Sequence, residues 1–393
     1  MSEASPAEAG PHVQRSVRDN RRLALGLAAL LALAAIVYFF KLSHRLDDFE
    51  VYARAASRAL AGEPLYRPED GHWLFKYLPA FAVTAIPIAL VPLQVAKPIW
   101  FLASVALLVP CLRMTTAIQP VLQKPVWLLV VATIMVMGDF YGHELRLGQT
   151  NLLLVTAVVG ALLALKQRRE MLAGALVVVA VVLKPYAVLL LPWLLARRRR
   201  GAIVAATIGI FVVLLLPVAR YGFTSAVRLH LDWWNTVMTS VEPNLLNIDN
   251  VSWLAMYSRW FGPGTLAQGL TLLTIVAALA VTVYVFQMRR PVEFPELLEA
   301  SLLLTLMPLM SPQGWEYTLL TATPGVMCLV NYSDQLPAPF RRLTIVALAV
   351  IGLSIYDLMG RTMHTAFMRA SGVTIAFFVV IGALVMLRRR QVL

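Results

Sequence analysis

The chain has 393 residues, of which 59% are hydrophobic and only 14% charged. Soluble proteins carry about 25% charged residues, so this chain has too little polar surface to coat a string of water-soluble domains. Its net charge of +13 invites a polyanion partner, but the basic residues sit in short clusters, each bordering an apolar run. The clusters are Arg15, Arg18, Arg21 and Arg22; Lys166, Arg168 and Arg169; Arg197 to Arg200; Arg289 and Arg290; Arg341 and Arg342; and Arg388 to Arg390. Just over half of the 34 basic residues fall there. That is the positive-inside pattern of a membrane protein, and it argues against a nucleic-acid groove.

A helix needs about 20 residues to cross a ~30 Å hydrocarbon layer. In chain order the apolar runs predict spans at Leu23–Phe40, Phe75–Val95, Pro98–Met114, Thr150–Leu165 and Ala202–Ala219. Further spans follow at Thr265–Phe286, Glu296–Met310, Tyr317–Asn331, Leu343–Leu358 and Gly372–Leu387. The first run follows a basic segment but is too long for a signal-peptide core and is read as a retained span. Basic clusters flank Met171–Ala196 on both sides, which predicts a short hairpin with Lys184-Pro185 at its apex. The run Pro125–Met137 reaches only about 20 Å at a rise of about 1.5 Å per residue. It is expected to be broken or re-entrant, leaving Gly138 to Gln149 at the outer face. The expectation is an all-α, polytopic bundle of about twelve transmembrane helices with both ends cytoplasmic. Residues 1–22 and 388–393 would be tails, and 23–387 one bundle with outer loops 41–74 and 220–264.

The first outer loop carries Phe49, Tyr52, Ala53, Ala56 and Leu60 at helical spacing, which predicts an amphipathic surface helix. The second carries Trp233, Trp234, Trp253 and Trp260, read either as an interfacial belt or as sugar-stacking rings. Cys111 and Cys328 lie in apolar runs and support neither a disulfide framework nor a thiolate metal site. Five of the six histidines (His44, His72, His143, His230, His364) fall in outer segments, with Asp47, Asp48, Asp139, Glu144, Asp232, Asp249 and Glu316. A chain working at its outer membrane boundary has this distribution. Asp47-Asp48 either open the surface helix against its positive end or act as catalytic carboxylates. Lys184 either snorkels to headgroups or faces a cavity, because a lysine at membrane depth is costly. Ser311 to Tyr317 forms a polar turn offering the indole of Trp315, the carboxylate of Glu316 and the phenol of Tyr317.

Several of these landmarks occur together in one known family. Asp48-Phe49-Glu50-Val51-Tyr52, Leu60-Ala61-Gly62, Leu65-Tyr66 and Tyr77-Leu78-Pro79 are followed by Gly148-Gln149-Thr150-Asn151 and Ala173-Gly174. Then come Lys184-Pro185, Asn250-Val251-Ser252 with Arg259, and Ser311-Pro312 with Trp315. In that order the set resembles glycosyltransferase family 87, membrane enzymes of the C-type superfamily that move mannose or related sugars from polyprenyl phosphate. The resemblance implies a C-type glycosyltransferase fold in the plasma membrane, with its active site on the extracytoplasmic face. It implies Asp48 as general base, and Lys184 and Arg259 as contacts to the donor phosphate. Asp47, Tyr52, Tyr77, Gln149, Asn151, Asn250, Trp315, Glu316 and Tyr317 would line the substrate site. One departure stands out: the family turn carries a histidine soon after the tryptophan, where this chain has Glu316-Tyr317. The implied partners are a polyprenyl-phosphate sugar, a glycolipid or glycan acceptor and the bilayer, with no nucleic acid, no cofactor and no metal. Mannose and arabinofuranose both fit as the sugar. Twelve spans with a broken helix also permit a secondary transporter or a lipid flippase.

Overall fold

A computed structural model describes residues 26, 29–42, 44–288 and 293–390. The expected tail 1–22, the start of the first span, Arg289 and Arg290, and residues 391–393 lie outside the described residues. The described residues form helices throughout, with no strand and one isolated bridge, Asn250 to Trp315.

The chain runs through α1 (Ala29–Leu42), then α2 (Asp47–Ala61), bent 89° away from it. After α3 (Pro79–Thr84) and α4 (Ile86–Ala89) come α5 (Leu93–Ala117), α6 (Val126–Leu147) and α7 (Asn151–Lys166). The hairpin is α8 (Glu170–Leu183), a tight turn Pro185–Leu189 and α9 (Leu190–Ala196). Next are α10 (Arg200–Leu215), α11 (Val218–Tyr221), α12 (Phe223–Thr239), α13 (Val241–Asn244) and α14 (Trp253–Phe261). The chain closes with α15 (Thr265–Gln287), α16 (Pro295–Met310), α17 (Thr323–Tyr332), α18 (Ala338–Leu353), α19 (Tyr356–Arg369) and α20 (Gly372–Arg389). By length and composition five helices can cross a membrane: α5, α6, α10 continued by α11, α15 and α20. The number rises to seven if the bent pairs α1–α2 and α18–α19 each count as a span, and α7, α8 and 185–196 are shorter apolar helices.

Several expected spans are corrected. Leu343–Leu358 is broken, because α18 ends at Leu353 and α19 turns 104° away, and in Tyr317–Asn331 the α-helix begins only at Thr323, after a tight turn over Glu316–Ala322. Phe75–Val95 is not one helix: α3 starts on Pro79, α4 holds Pro87 near its start, and Pro92 precedes α5. Each proline removes a backbone donor and favours a helix start over its continuation, and the fragments pack beside α2. Conversely, 125–147 is neither broken nor re-entrant, because α6 runs unbroken for 22 residues. In its polar half Phe140, Tyr141 and Glu144 are buried in protein. The Glu144 carboxylate accepts from Asn151 Nδ2 and from the Leu152 N–H, both at 2.8 Å. Tyr141 shares a 2.7 Å hydrogen bond with Thr323. A carboxylate receiving the first N–H groups of α7 also meets the positive end of that helix. Hydropathy missed these neighbours and ended the span too early.

The centre is α16, buried on every face from Glu296 to Leu309, as expected for a helix apolar all round. One end of the bundle collects the basic clusters. Glu299 receives Arg197, Arg388 and the indole N–H of Trp193, and Glu296 receives Arg199. Lys166 caps the carbonyls of Ala117 and Gln119 at 3.0 and 3.1 Å. The surface helix α2 buries Phe49, Val51, Tyr52, Ala55, Ala56 and Ala59, while Leu60, expected on that face, points outward. In α12, Phe223, Val227, Leu231, Trp234 and Met238 form an exposed apolar stripe, the pattern of a helix lying in a membrane interface. The tryptophans of that loop divide: Trp234 and Trp260 are exposed, Trp253 stacks on Phe378, and Trp233 donates to the Lys76 carbonyl.

α8 and α10 touch through small residues, the usual way membrane helices approach closely. A Cβ at Gly174 would lie 2.2 Å from the Ala202 carbonyl oxygen. Gly174→Leu is therefore expected to force the two helices apart at a cost of about 1–3 kcal/mol, read as a lower unfolding temperature in detergent. Gly269→Leu, at a position with nothing within 4 Å, should leave that temperature nearly unchanged.

Candidate active site

At the bundle end opposite the Glu299 cluster a polar cavity of about 250 Å³ opens, lined by six stretches of chain, among them 72–77, 247–249 and four whose placement has a clear local cause. The first is the start of α2. Leu46 just before it is fully buried in the left-handed region, φ 69°, a conformation costing of order 1–3 kcal/mol for a non-glycine residue. Its N–H bonds the Arg146 carbonyl at 3.0 Å, so tertiary structure holds the strained residue that aims Asp47 and Asp48.

The second piece is the turn after α6. Gly148 takes φ +71°, and a Cβ there would come within 2.9 Å of Phe49 Cβ. The glycine thus lets the α6–α7 turn press on α2 and delivers Gln149 next to Asp48. The third piece is the hairpin apex, where Lys184 is extended between α8 and the following turn. The fourth is the 311–317 turn. It is fixed to 249–251 by Val251 N–H to Gly314 O at 2.7 Å and Glu316 N–H to Asp249 O at 2.8 Å.

These pieces converge on the Gln149 amide. Its Nε2 donates to Asp48 Oδ2 at 2.7 Å and to the Tyr317 hydroxyl at 3.1 Å. Its Oε1 accepts from Tyr52 at 3.0 Å and from Tyr77 at 3.1 Å. The two tyrosine hydroxyls are 2.6 Å apart, and Lys184 Nζ donates to Tyr77 at 2.9 Å. Asp48 and Lys184 therefore share one cavity with a neutral amide between them rather than neutralising each other as an ion pair.

Burial raises the Asp48 carboxyl above its ordinary pKa, only partly opposed by the Gln149 hydrogen bond and the charges of Lys184 and Lys76. Burial also pushes Lys76 down to about 8, despite the pull of Asp48. Lys76 Nζ donates to Gln313 Oε1 at 3.0 Å.

Of the residues expected in the site, Asp48, Tyr52, Tyr77, Gln149, Lys184, Trp315, Glu316 and Tyr317 line the cavity. Asp47 is half-buried beside it. Asn151 lies behind Gln149 and bonds Glu144. Asn250 serves the 311–317 turn, donating to the Pro312 carbonyl at 3.0 Å. Arg259 does not reach the cavity: it bonds Ser371 and the Asn247 carbonyl. Lining residues not expected in the site include Lys76 and Arg146, together with His143 and Asp249, which the sequence placed only among the outer ionisable groups. A lysine inside the apolar stretch around Phe75 and Tyr77 is as costly as Lys184, and the same argument would have found Lys76.

A helical membrane protein whose polar cavity holds a carboxylate, two lysines and several aromatic rings has the parts of a group-transfer enzyme. The profile of Glycosyltransferase family 87 matches residues 75–312, well over half of the chain, and the protein belongs to that family. Asp48 and the Trp315-Glu316-Tyr317 run lie outside the matched stretch. No curated protein and no solved structure matches the chain.

Proposed function

We propose that this glycosyltransferase moves a sugar, mannose by the resemblance of its landmarks, from a polyprenyl-phosphate donor to a hydroxyl of an outer-leaflet glycolipid or glycan. The observation that carries the reading is the joint presence of Asp48 and Lys184 in one cavity, linked through Gln149 and Tyr77. The acceptor oxygen attacks the anomeric carbon as its proton passes to Asp48. The bond from that carbon to the phosphate oxygen breaks, and polyprenyl phosphate departs toward Lys184 and Lys76. One displacement inverts the anomeric centre without a covalent enzyme intermediate. The aromatic walls of Tyr77 and Trp315 suit the faces of a sugar ring.

On this reading the cavity lies on the extracytoplasmic side of the plasma membrane, supported by the gathering of basic clusters at the opposite end of the bundle, as expected for a cytoplasmic face. The lipid chain is assigned to an apolar groove of about 400 Å³ beside the hairpin, lined by Leu189, Trp193, Phe286, Met307 and Met310 among others. That groove starts on the segment that follows Lys184 and on the helix that leads into the 311–317 turn.

The rate should be bell-shaped in pH. Protonated Asp48 cannot accept a proton, so the acid limb lies above the ordinary carboxylate range. Lys76 loses its charge through about 8, which sets the alkaline limb. Lys76→Arg, still charged there, is expected to move the alkaline limb upward and leave the acid limb in place.

The deciding experiment presents purified protein in vesicles with labelled polyprenyl-phosphate mannose, a nucleotide-linked mannose and a panel of lipid acceptors. Label should move from the lipid donor alone. Transfer from the nucleotide sugar, or solute uptake without any transfer, would overturn the reading.

A further inference from the structure

Glu316, in the turn just after Trp315, has an unusual environment. Glu316 is fully buried, yet neither carboxylate oxygen has a hydrogen-bond partner among the described residues. Buried carboxylates are normally paired, hydrogen-bonded or bound to metal. Asp249, whose carbonyl accepts from the Glu316 N–H, and Arg146 lie near it, and α6 also presents Asp139 and His143, one turn apart and so on one face. One ligand atom from each of Asp139, His143 and Glu316 lies within 4.8 Å of the other two, and His143 Nδ1 is 3.9 Å from Glu316 Oε2. Donor atoms around a single ion at about 2.1 Å are themselves roughly 3–4 Å apart, so small side-chain rotations close the set. His143 and Glu316 also line the cavity that holds Asp48.

We propose that Asp139, His143 and Glu316 bind a first-row divalent cation, such as Mn²⁺ or Zn²⁺, in the wall of this cavity. Two carboxylates and an imidazole favour such an ion over Ca²⁺ or Mg²⁺, which prefer oxygen-only shells. The ion satisfies both orphaned oxygens of Glu316 and balances the two carboxylates. In the sequence nothing joins these three residues beyond their place among the outer ionisable groups, because Glu316 is distant from the α6 pair and no ligand-spacing motif links them.

The test is metal binding and does not depend on the identity of donor or acceptor. Full-length protein is stripped with chelator and titrated with MnCl₂, followed by electron paramagnetic resonance, and separately with ZnCl₂, followed by metal analysis after dialysis. One ion per chain is expected, with a nitrogen coupling from the imidazole in the Mn²⁺ spectrum. Glu316→Gln and Asp139→Asn should each weaken binding at least tenfold, whereas Asp48→Asn should bind as the native chain does. Failure of the native chain to bind one ion, a spectrum without nitrogen coupling, or binding unchanged in Glu316→Gln would each overturn the proposal. If Asp48→Asn alone abolishes binding, the ion belongs to Asp47-Asp48 instead.

Discussion

Asp48→Asn is expected to lower sugar transfer about a thousandfold, within the range of about 10²–10⁴ assigned to a positioned general base, while the protein inserts and folds normally. The asparagine keeps the shape of the side chain and an oxygen for the Gln149 amide, whose Nε2 now donates to Asp48 at 2.7 Å. What it removes is the carboxylate that the proposed mechanism uses to receive the acceptor's proton. The substitution should act on kcat and leave the donor's KM within a few-fold, and transfer should lose the acid limb of its pH profile. A drop in both folding yield and activity would instead mark Asp48 as part of the scaffold that starts α2. Radiolabel transfer in vesicles, with size-exclusion profiles compared, separates the two.

Lys184→Gln is the second large effect. Removing one preorganised charge from a site where negative charge develops costs about 10²–10³ in rate, and a hundredfold or greater fall in kcat/KM is expected. The neutral replacement can still bond the Tyr77 hydroxyl, now 2.9 Å from Lys184 Nζ, so the aromatic wall should survive. Lys184→Arg should recover only part of the rate, since a planar guanidinium cannot repeat the compact ammonium's fit over the Tyr77 ring, 4.6 Å from its centroid. Steady-state kinetics on the lipid donor provide the measurement, with unfolding temperature as control.

Much of this arrangement can be read from the chain because the membrane leaves few choices. Apolar runs bordered by charged residues give α15, α16 and α20 nearly at their observed limits, α5 is found but eight residues short, and the paired clusters around 171–196 require the hairpin that presents Lys184. Errors arise where a local rule meets a tertiary partner. The stretch 75–95 is apolar enough to span, but its prolines divide it. The apolar run that ends at Met137 is too short to cross, but the helix continues through polar residues to Leu147, where Glu144 and Tyr141 bond α7 and Thr323. The active-site candidates follow the same division. Lys184 stands out as a charge at a costly position, Asp48 as a carboxylate just past the first span, and Gln149 enters only through the family resemblance; all three line one cavity. The orphaned state of Glu316, the approach of His143 to it and the reach of Arg259 toward Ser371 depend on packing between distant segments, which spacing along the chain does not encode.

The central claim is that a polyprenyl-phosphate sugar lies between Asp48 and Lys184. An experimental structure of the protein with a non-transferable phosphonate analogue of that donor tests it directly. The phosphonate should sit within hydrogen-bonding distance of Lys184 Nζ, with the sugar against Tyr77 and the Asp48 carboxylate on the opposite face of the anomeric carbon. A phosphonate bound away from this cavity, or a sugar with Asp48 and Lys184 on the same side of the anomeric carbon, would contradict it.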